Sequence, residues 1–482
     1  MQPYQNVPPN GSEIFDLPDS DGVNSSEKKL VAFCKKSFLR LWTLPNLMKK
    51  QNPAKELTDV LIVFGDDVII FSDKSISINP STPVDTAWAR CYRKTIESSA
   101  NQLYGAAAWI KEHPQKIFLD AKSTRPLPID LPDASKIRFH LIASVNGVSS
   151  SASLYHRKPR GSFEIDSSIV GNDHLSHPFS IGNLDARREF VHVFDENSLE
   201  LIMSELDTAK DFLDYLIDRK KLMTSGKRVL ARGEEDLFAA YLINGDDQSR
   251  SFTGKGVGVS ISEKEISFEN DLFSNFSENP FYRQKKKRDE TGYLWDQLID
   301  DLITTGTSDL APTQTHGEIA AALQTMAQEN RFWRRTLCEA LNTARAEIQA
   351  DGLSPDGLAR TIAIQERPDI AYQFIFMPYI PGENETEYRR KRSCCAIKQC
   401  AITRQREPSV RWIISLCFCS TPEINNSIDL IVEQVEAPLF PNYAPVGNSY
   451  TNQEVSEYGD ISASSWPANH ALADKIKKKR KP

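Results

Sequence analysis

The chain has 482 residues, 40% of them hydrophobic and 26% charged, with a formal net charge of -7. At roughly 150 residues per domain, this length gives two or three domains and excludes a disulfide-stapled miniprotein. The longest uncharged apolar runs, such as Val60–Phe64 and Val68–Phe71, fall far short of the ~20 residues that cross a bilayer, so a soluble globular protein without integral membrane association is expected. Met1–Gly22 is polar, rich in Pro and Gly, and lacks an apolar signal core, so the expected location is cytoplasmic.

Basic residues bunch at Arg283–Arg288 (RQKKKR), Arg389–Arg392 (RRKR) and Lys475–Lys481 (KIKKKRK), whereas acidic residues are spread along the chain. Such runs fit either a solvated face or local contact with a polyanion. Of the eight cysteines, five lie between Cys394 and Cys419, yet they include no C-x2-C pair and no His is close in sequence. That spacing does not fit a zinc site and predicts reduced thiols in the core.

In chain order, residues 1–25 read as disordered, and a helix capped by Ser26 follows, with Leu30, Phe33, Cys34, Phe38, Leu41 and Trp42 at helical spacing. Pro45 and Pro53 bracket a connection. Two β-branched, apolar runs then flank Gly65-Asp66-Asp67, the signature of a hairpin. A helix over about 84–112 and strands at Lys116–Asp120 and Lys136–Val145 complete an α/β unit, residues 26–150. A middle α+β domain, 151–310, carries strands at Gly161–Ile165 and Arg188–Phe194, one long helix over Asn197–Met223 and another at Glu234–Ile243. Its Thr253–Gly258 segment is Gly-rich but lacks the G-x4-G-K-[ST] order that cradles phosphate, which makes it a strand-edge turn. A helix-rich α+β domain, 311–440, has a long helix over Gly317–Ala350 and two strands, Tyr372–Met377 and Val410–Cys419, around a basic, Cys-bearing helix; a flexible basic tail, 441–482, ends the chain. The expected fold class is α/β at the N-terminus and mixed α+β overall.

The most informative chemistry lies at residues 56–104. Metal-dependent phosphodiester cleavage needs carboxylates that hold one or two Mg²⁺ ions and a cation beside the attacking water or the phosphate. Asp59 opens one hairpin strand and Lys74 closes the other, so the turn brings them to one end of the sheet. With a helix before the hairpin and a helix and strand after it, this segment resembles the PD-(D/E)XK nuclease superfamily over about residues 27–145. The resemblance implies a restriction-endonuclease-like core in which Asp59 binds metal, Lys74 is catalytic, and Gln102 of Gln102-Leu103-Tyr104 supports substrate or metal-bound water, as in RecB-like members. The superfamily's second acid stands two residues before the Lys, and here that position is Ser72. Asp73, in a regular strand, points to the opposite face. Three repairs are open: a bulge that turns Asp73 inward, an acid from the next helix, with Glu97 best placed, or help from Glu27 or Glu56.

The resulting expectation is a nuclease dependent on Mg²⁺ (or Mn²⁺) that cleaves DNA, RNA or both, with a larger C-terminal part that binds a protein partner, assembles with itself or positions nucleic acid. By analogy, such a chain suits a regulated effector of prokaryotic antiviral defence or an Argonaute-associated system. Asp59, Asp73, Lys74 and Gln102 are the candidate catalytic residues, and Asp59, Asp73, Glu97 and Glu56 the candidate metal ligands. Arg90, Arg93 and Lys94 precede Gln102 on its helix and are candidate phosphate contacts. Arg334 and Arg335 beside Trp333 either clamp nucleic acid or form a helix-packing seam. The rival expectation is a non-catalytic nucleic-acid- or protein-binding subunit whose nuclease-like fold has lost its second acid; a scaffold protein built on the long helices is a third reading. His174 and His177 have a ligand-like spacing but no completing pattern, and no Gly-x-Ser-x-Gly elbow is present.

Overall fold

Helix α1 (Ser25–Trp42) starts at Asn24, whose side chain accepts from the Ser26 and Glu27 amides, so the cap lies two residues before the expected Ser26. The computed structural model describes Phe15, Leu17 and residues 20–158, 160–245, 250–304, 315–352, 357–364, 367–420 and 427–434. Phe15 and Leu17 are buried, and Arg125 donates to the Leu17 carbonyl at 3.2 Å, so the end of the segment expected to be disordered is docked. Residues 1–14 and the tail 441–482 lie outside the described residues.

Three sheets make the fold mixed α/β. The first contains β1 (Thr43–Lys49), β2 (Lys55–Phe64), β3 (Asp67–Ser75), β4 (Ile117–Phe118), β5 (Arg138–Asn146) and β8 (Val191–Asp195), in the order β4-β1-β2-β3-β5-β8. β1, β2 and β3 form an antiparallel meander, and β5 and β8 add in parallel. Gly65 takes the positive φ (64°) needed by the two-residue turn of the β2–β3 hairpin. Between β3 and β5 the chain crosses over through α2 (Val84–Tyr92), a π-helical turn (Arg93–Glu97) and α3 (Ser98–Glu112). Trp88, Ile96, Leu103, Ala106 and Ile110 form the buried stripe of this crossover and pack on Leu61, Val68, Ile70, Leu141 and Ala143 of the sheet. Each buried aliphatic side chain of this kind stabilises the fold by about 2 kcal/mol. On the other face, Val60, Ile62, Ile69 and Phe71 are also buried beside α1, which explains why these strands read as continuous apolar runs.

The structure amends several sequence expectations. β1 occupies the stretch read as a connection; Pro45 is tolerated because β4 pairs only with Met48 and Lys49, leaving no partner for the missing N–H. The single helix expected over 197–223 is two, α5 (Glu196–Glu205) and α6 (Ala209–Met223), since Thr208 caps the second by accepting from the Asp211 amide. A second sheet, ordered β10-β11-β9-β6-β7, contains β6 (Glu164–Val170), β7 (Ser180–Asn183), β9 (Arg228–Ala231), β10 (Val259–Ile261) and β11 (Glu265–Phe268). Helix α7 spans Glu234–Ile243, as expected.

The chain divides into two compact units, one of Phe15–Asp296 with Ala327–Arg334, the other, among described residues, of Gln297–Met326 and residues from Arg335 on. The division expected after residue 150 falls inside the first unit, because β8 completes the sheet begun by β1. In the second unit, β12 (Leu358–Ile364), β13 (Arg367–Met377), β14 (Trp412–Cys419) and β15 (Ile428–Gln434) form a sheet in chain order, with the parallel pair β13–β14 linked through the helix Glu385–Arg406. All eight cysteines are buried, and none is joined in a disulfide. The long helix expected over 317–350 is also two, His316–Ala327 and Arg331–Asp351, with Asn330 accepting from the Trp333 amide at the second start.

Candidate functional site

The β2–β3 ladder runs from Phe64↔Asp67 to Val60↔Phe71. Past that point side chains of β2 take over its hydrogen bonds. The Thr58 hydroxyl donates to the Phe71 carbonyl and the Asp73 amide donates to Asp59 Oδ2, both at 2.5 Å. Asp59 is thereby held against β3, buried, with Lys74 Nζ 3.8 Å from its Oδ2. Burial pushes the Asp59 carboxyl up to about 6; Glu56 and Glu27 push the same way, while Lys74 and the Asp73 amide oppose them. The structure thus brings Asp59 and Lys74 together at the open end of the hairpin.

Ser72 and Asp73 turn to opposite sides. Ser72 is buried against the α3 face, its hydroxyl 3.1 Å from Gln102 Oε1 and 3.0 Å from Ser99 Oγ. Asp73 accepts from the hydroxyls of Ser26 (2.5 Å) and Ser144 (2.6 Å) and from Asn146 Nδ2 (2.8 Å). The β3–β5 register is unbroken from Asp67↔Arg138 to Ser75↔Asn146, so no bulge redirects Asp73. Its carboxylate serves as an acceptor that ties α1 to β5, which corrects its assignment as a catalytic acid and metal ligand. Gln102 Oε1 accepts from the Ser72 hydroxyl on the α3 side of the strand.

The other candidate acids do not complete a metal centre. Glu97 is exposed on the π-helical turn, where its charge acts on Tyr92. Glu56 is exposed, its Oε1 3.5 Å from Asn46 Nδ2. Glu27 is engaged at the start of α1, accepting from the Val23 amide (2.8 Å) and Asn24 Nδ2 (2.5 Å). Among the described residues no three His, Cys, Asp or Glu side chains form a group that could hold a metal ion. The side chains as arranged do not fit a Mg²⁺ centre, since Asp59 faces a lysine instead of a second carboxylate.

Arg90, Arg93 and Lys94 are exposed on α2 and the π-helical turn. Their i, i+3, i+4 spacing presents them together, and none has an ion-pair partner among the described residues. Arg334 and Arg335 are instead buried, 0% and 2% exposed. Arg334 donates to Asp296 (2.5 Å) and to the carbonyls of Glu329 (2.8 Å) and Ala327 (2.7 Å), and Arg335 lies 4.0 Å from Glu339 one turn on. Burial overturns both as nucleic-acid contacts and favours the packing-seam alternative. His174 is likewise a core residue, accepting from the Gly182 amide at 3.0 Å and stacked on Tyr92.

Sequence reasoning missed Ser99, Ser26, Ser144 and Asn146 as partners of the hairpin. Ser26 was placed by its sequence only at the start of α1, and Ser99, Ser144 and Asn146 meet the hairpin through the crossover and the neighbouring strand β5. The chain matches no protein-family model, no curated protein and no solved structure in the comparisons made.

Proposed function

We propose that the first sheet and its crossover form a nuclease-like domain that binds nucleic acid without cleaving it. The observation that carries this reading is the orientation of Asp73. Its carboxylate is spent on Ser26, Ser144 and Asn146, so the face bearing Ser72, Gln102 and α3 lacks a second acid. The meander, helical crossover and parallel fourth strand support the likeness to the PD-(D/E)XK core, and the unpaired cations Arg90, Arg93 and Lys94 supply a phosphate-facing surface.

A second reading, the Mg²⁺-dependent nuclease of a regulated defence effector, is favoured by one observation: the Asp59 carboxyl, raised to about 6, lies within the fields of Glu56 and Glu27. It requires one of those acids to leave its present partner and reach Asp59.

The test incubates the full chain with single- and double-stranded DNA and RNA, in Mg²⁺ or Mn²⁺ and in EDTA, beside Asp59→Ala, Lys74→Ala and a triple Arg90→Ala/Arg93→Ala/Lys94→Ala variant. We expect metal-independent binding without cleavage, and a triple variant whose log–log salt slope is shallower by about 2 to 3. Metal-dependent cleavage lost in Asp59→Ala and Lys74→Ala would establish the nuclease instead. Absence of both binding and cleavage would leave the scaffold reading.

A further inference from the structure

The edge of the first sheet beside the end of α3 carries a second group of cations, unused by the site above. Lys49 and Lys55 are directly paired across β1 and β2, an arrangement in which like charges destabilise a sheet. One step further, the Lys50 amide donates to the Lys116 carbonyl at 2.9 Å, just before β4 begins. Lys50, Lys55 and Lys116 are exposed and Lys49 is half-buried. Among the described residues none of the four side chains has an ion-pair partner, and Glu56, next to Lys55 in sequence, lies beside Asn46. Burial and the charge of Lys55 both push the Lys49 ammonium below its usual range, and no carboxylate opposes them. Two of the side chains rest on aromatic rings, Lys49 Nζ 5.3 Å from the Trp109 centroid and Lys50 Nζ 5.3 Å from that of Phe118, which favours their staying at this edge. The repulsion between these lysines is relieved by an anion from outside the chain.

The position of this group decides the kind of anion. Trp109, under Lys49, is in the last turn of α3, and Arg90, Arg93 and Lys94 stand just before its first. The 15 residues of α3 make it roughly 22 Å long, the length of about six base pairs of duplex. Along it Ser98, Asn101, Gly105 and Ala108 are exposed, at the i, i+3 and i+4 spacing of one helical face, and none of them carries a long side chain. The exposed acids of this face, Glu97 and Glu112, are outnumbered by the cations at its two ends, which leaves a positive field along it. A small anion would satisfy one group of cations alone, whereas a row of regularly spaced phosphates reaches both. We infer that the β1–β4 edge is a second phosphate contact of one nucleic-acid surface, with a duplex lying along α3 between Arg90, Arg93 and Lys94 at one end and Lys49, Lys50, Lys55 and Lys116 at the other. The inference rests on the nucleic-acid-binding reading above and adds to it the course of the ligand and the shortest length that engages both groups.

The test measures, by fluorescence anisotropy over a range of salt, binding of the full chain to a DNA duplex of about 16 base pairs and to a hairpin whose stem of about 4 base pairs, roughly 14 Å, is too short to bridge the two groups. It compares the unaltered chain with Lys49→Gln/Lys55→Gln and with the triple Arg90→Ala/Arg93→Ala/Lys94→Ala variant. Removing Lys49 and Lys55 relieves a like-charge pair, so the melting temperature of that variant should not fall, and Lys49→Arg/Lys55→Arg should bind as the unaltered chain does. For the long duplex, Lys49→Gln/Lys55→Gln should weaken binding about tenfold and make the log–log salt slope shallower by about 2. For the short stem, which either group can hold, each variant alone should lose no more than about twofold. Long-duplex affinity and slope unchanged in Lys49→Gln/Lys55→Gln, with the triple variant weakened, would overturn the edge contact and leave the Arg90 surface standing. A loss for the short stem as large as for the long duplex would overturn the bridging. Absence of binding to either DNA by the unaltered chain would remove the nucleic-acid reading and this inference with it.

Discussion

The two ends of the β2–β3 hairpin each hold a buried aspartate, and the two are in opposite electrostatic states. At the turn, Asp67 accepts from His140 Nε2 at 2.8 Å and from Arg138 through Nε at 3.0 Å and Nη2 at 2.7 Å. Burial raises its carboxyl, but the bonds from His140 and Arg138 outweigh this and hold it below the usual range. At the open end, Asp59 receives one amide bond and a lysine at 3.8 Å, and burial wins, lifting it to about 6. The same residue type on one hairpin is a satisfied structural anchor at one end and an under-compensated charge at the other. Under-compensated carboxylates are the kind found at binding and catalytic sites, which is why Asp59, and not the better-bonded Asp67, marks the candidate site.

The largest expected effect is at the anchored end. Asp67→Ala leaves the buried His140 without its carboxylate and should cost about 3 kcal/mol of unfolding free energy, read by denaturant titration at pH 7. A loss as small as that of an exposed substitution would erase the distinction between the two ends.

At the open end the sign reverses. Asp59→Asn keeps an oxygen for the Asp73 amide and removes a buried charge, so it should stabilise the chain by about 2 kcal/mol at pH 8. The folded carboxyl titrates at about 6, above its unfolded value of 3.8. Its favourable contribution is therefore complete below the unfolded value and is lost as pH rises through about 6. The advantage of Asp59→Asn over the wild type should accordingly shrink between pH 7 and pH 4; an advantage constant across that range would remove the charge explanation. Asp67, whose carboxyl is lowered, works the other way: its stabilisation is present above the unfolded value and lost as pH falls through the folded one.

The smallest effect sharpens the functional contrast. Ser72→Asp places a carboxylate where the superfamily has one, on the strand position beside Gln102. Mn²⁺ binding measured by calorimetry should tighten by about tenfold, or ~1.4 kcal/mol, relative to the wild type. An unchanged affinity would show that more than one missing acid separates this site from a metal centre.

Much of this is legible in the amino-acid sequence. Gly65-Asp66-Asp67 between two β-branched runs specifies the hairpin, and the hairpin alone brings Asp59 toward Lys74. The alternation of a regular strand predicts Asp73 on the face opposite Ser72, as observed, and the helix expected over about 84–112 is present as the crossover of α2, the π-helical turn and α3. These features are local, set by turn conformation and by periods of two and 3.6 residues. Pro45 concealed β1, because a proline's effect on a strand depends on whether a neighbour needs its missing N–H. Arg334 and Arg335 could not be separated from surface arginines, since burial belongs to the packed helices and not to the run of charges. That Asp73 would be claimed by Ser26, Ser144 and Asn146, and that Asp59 would remain under-compensated, was decided by tertiary structure alone. The first depends on residues 26, 144 and 146 converging on one strand end and the second on how deeply the packed sheet buries Asp59, and long-range packing leaves no trace in the local sequence.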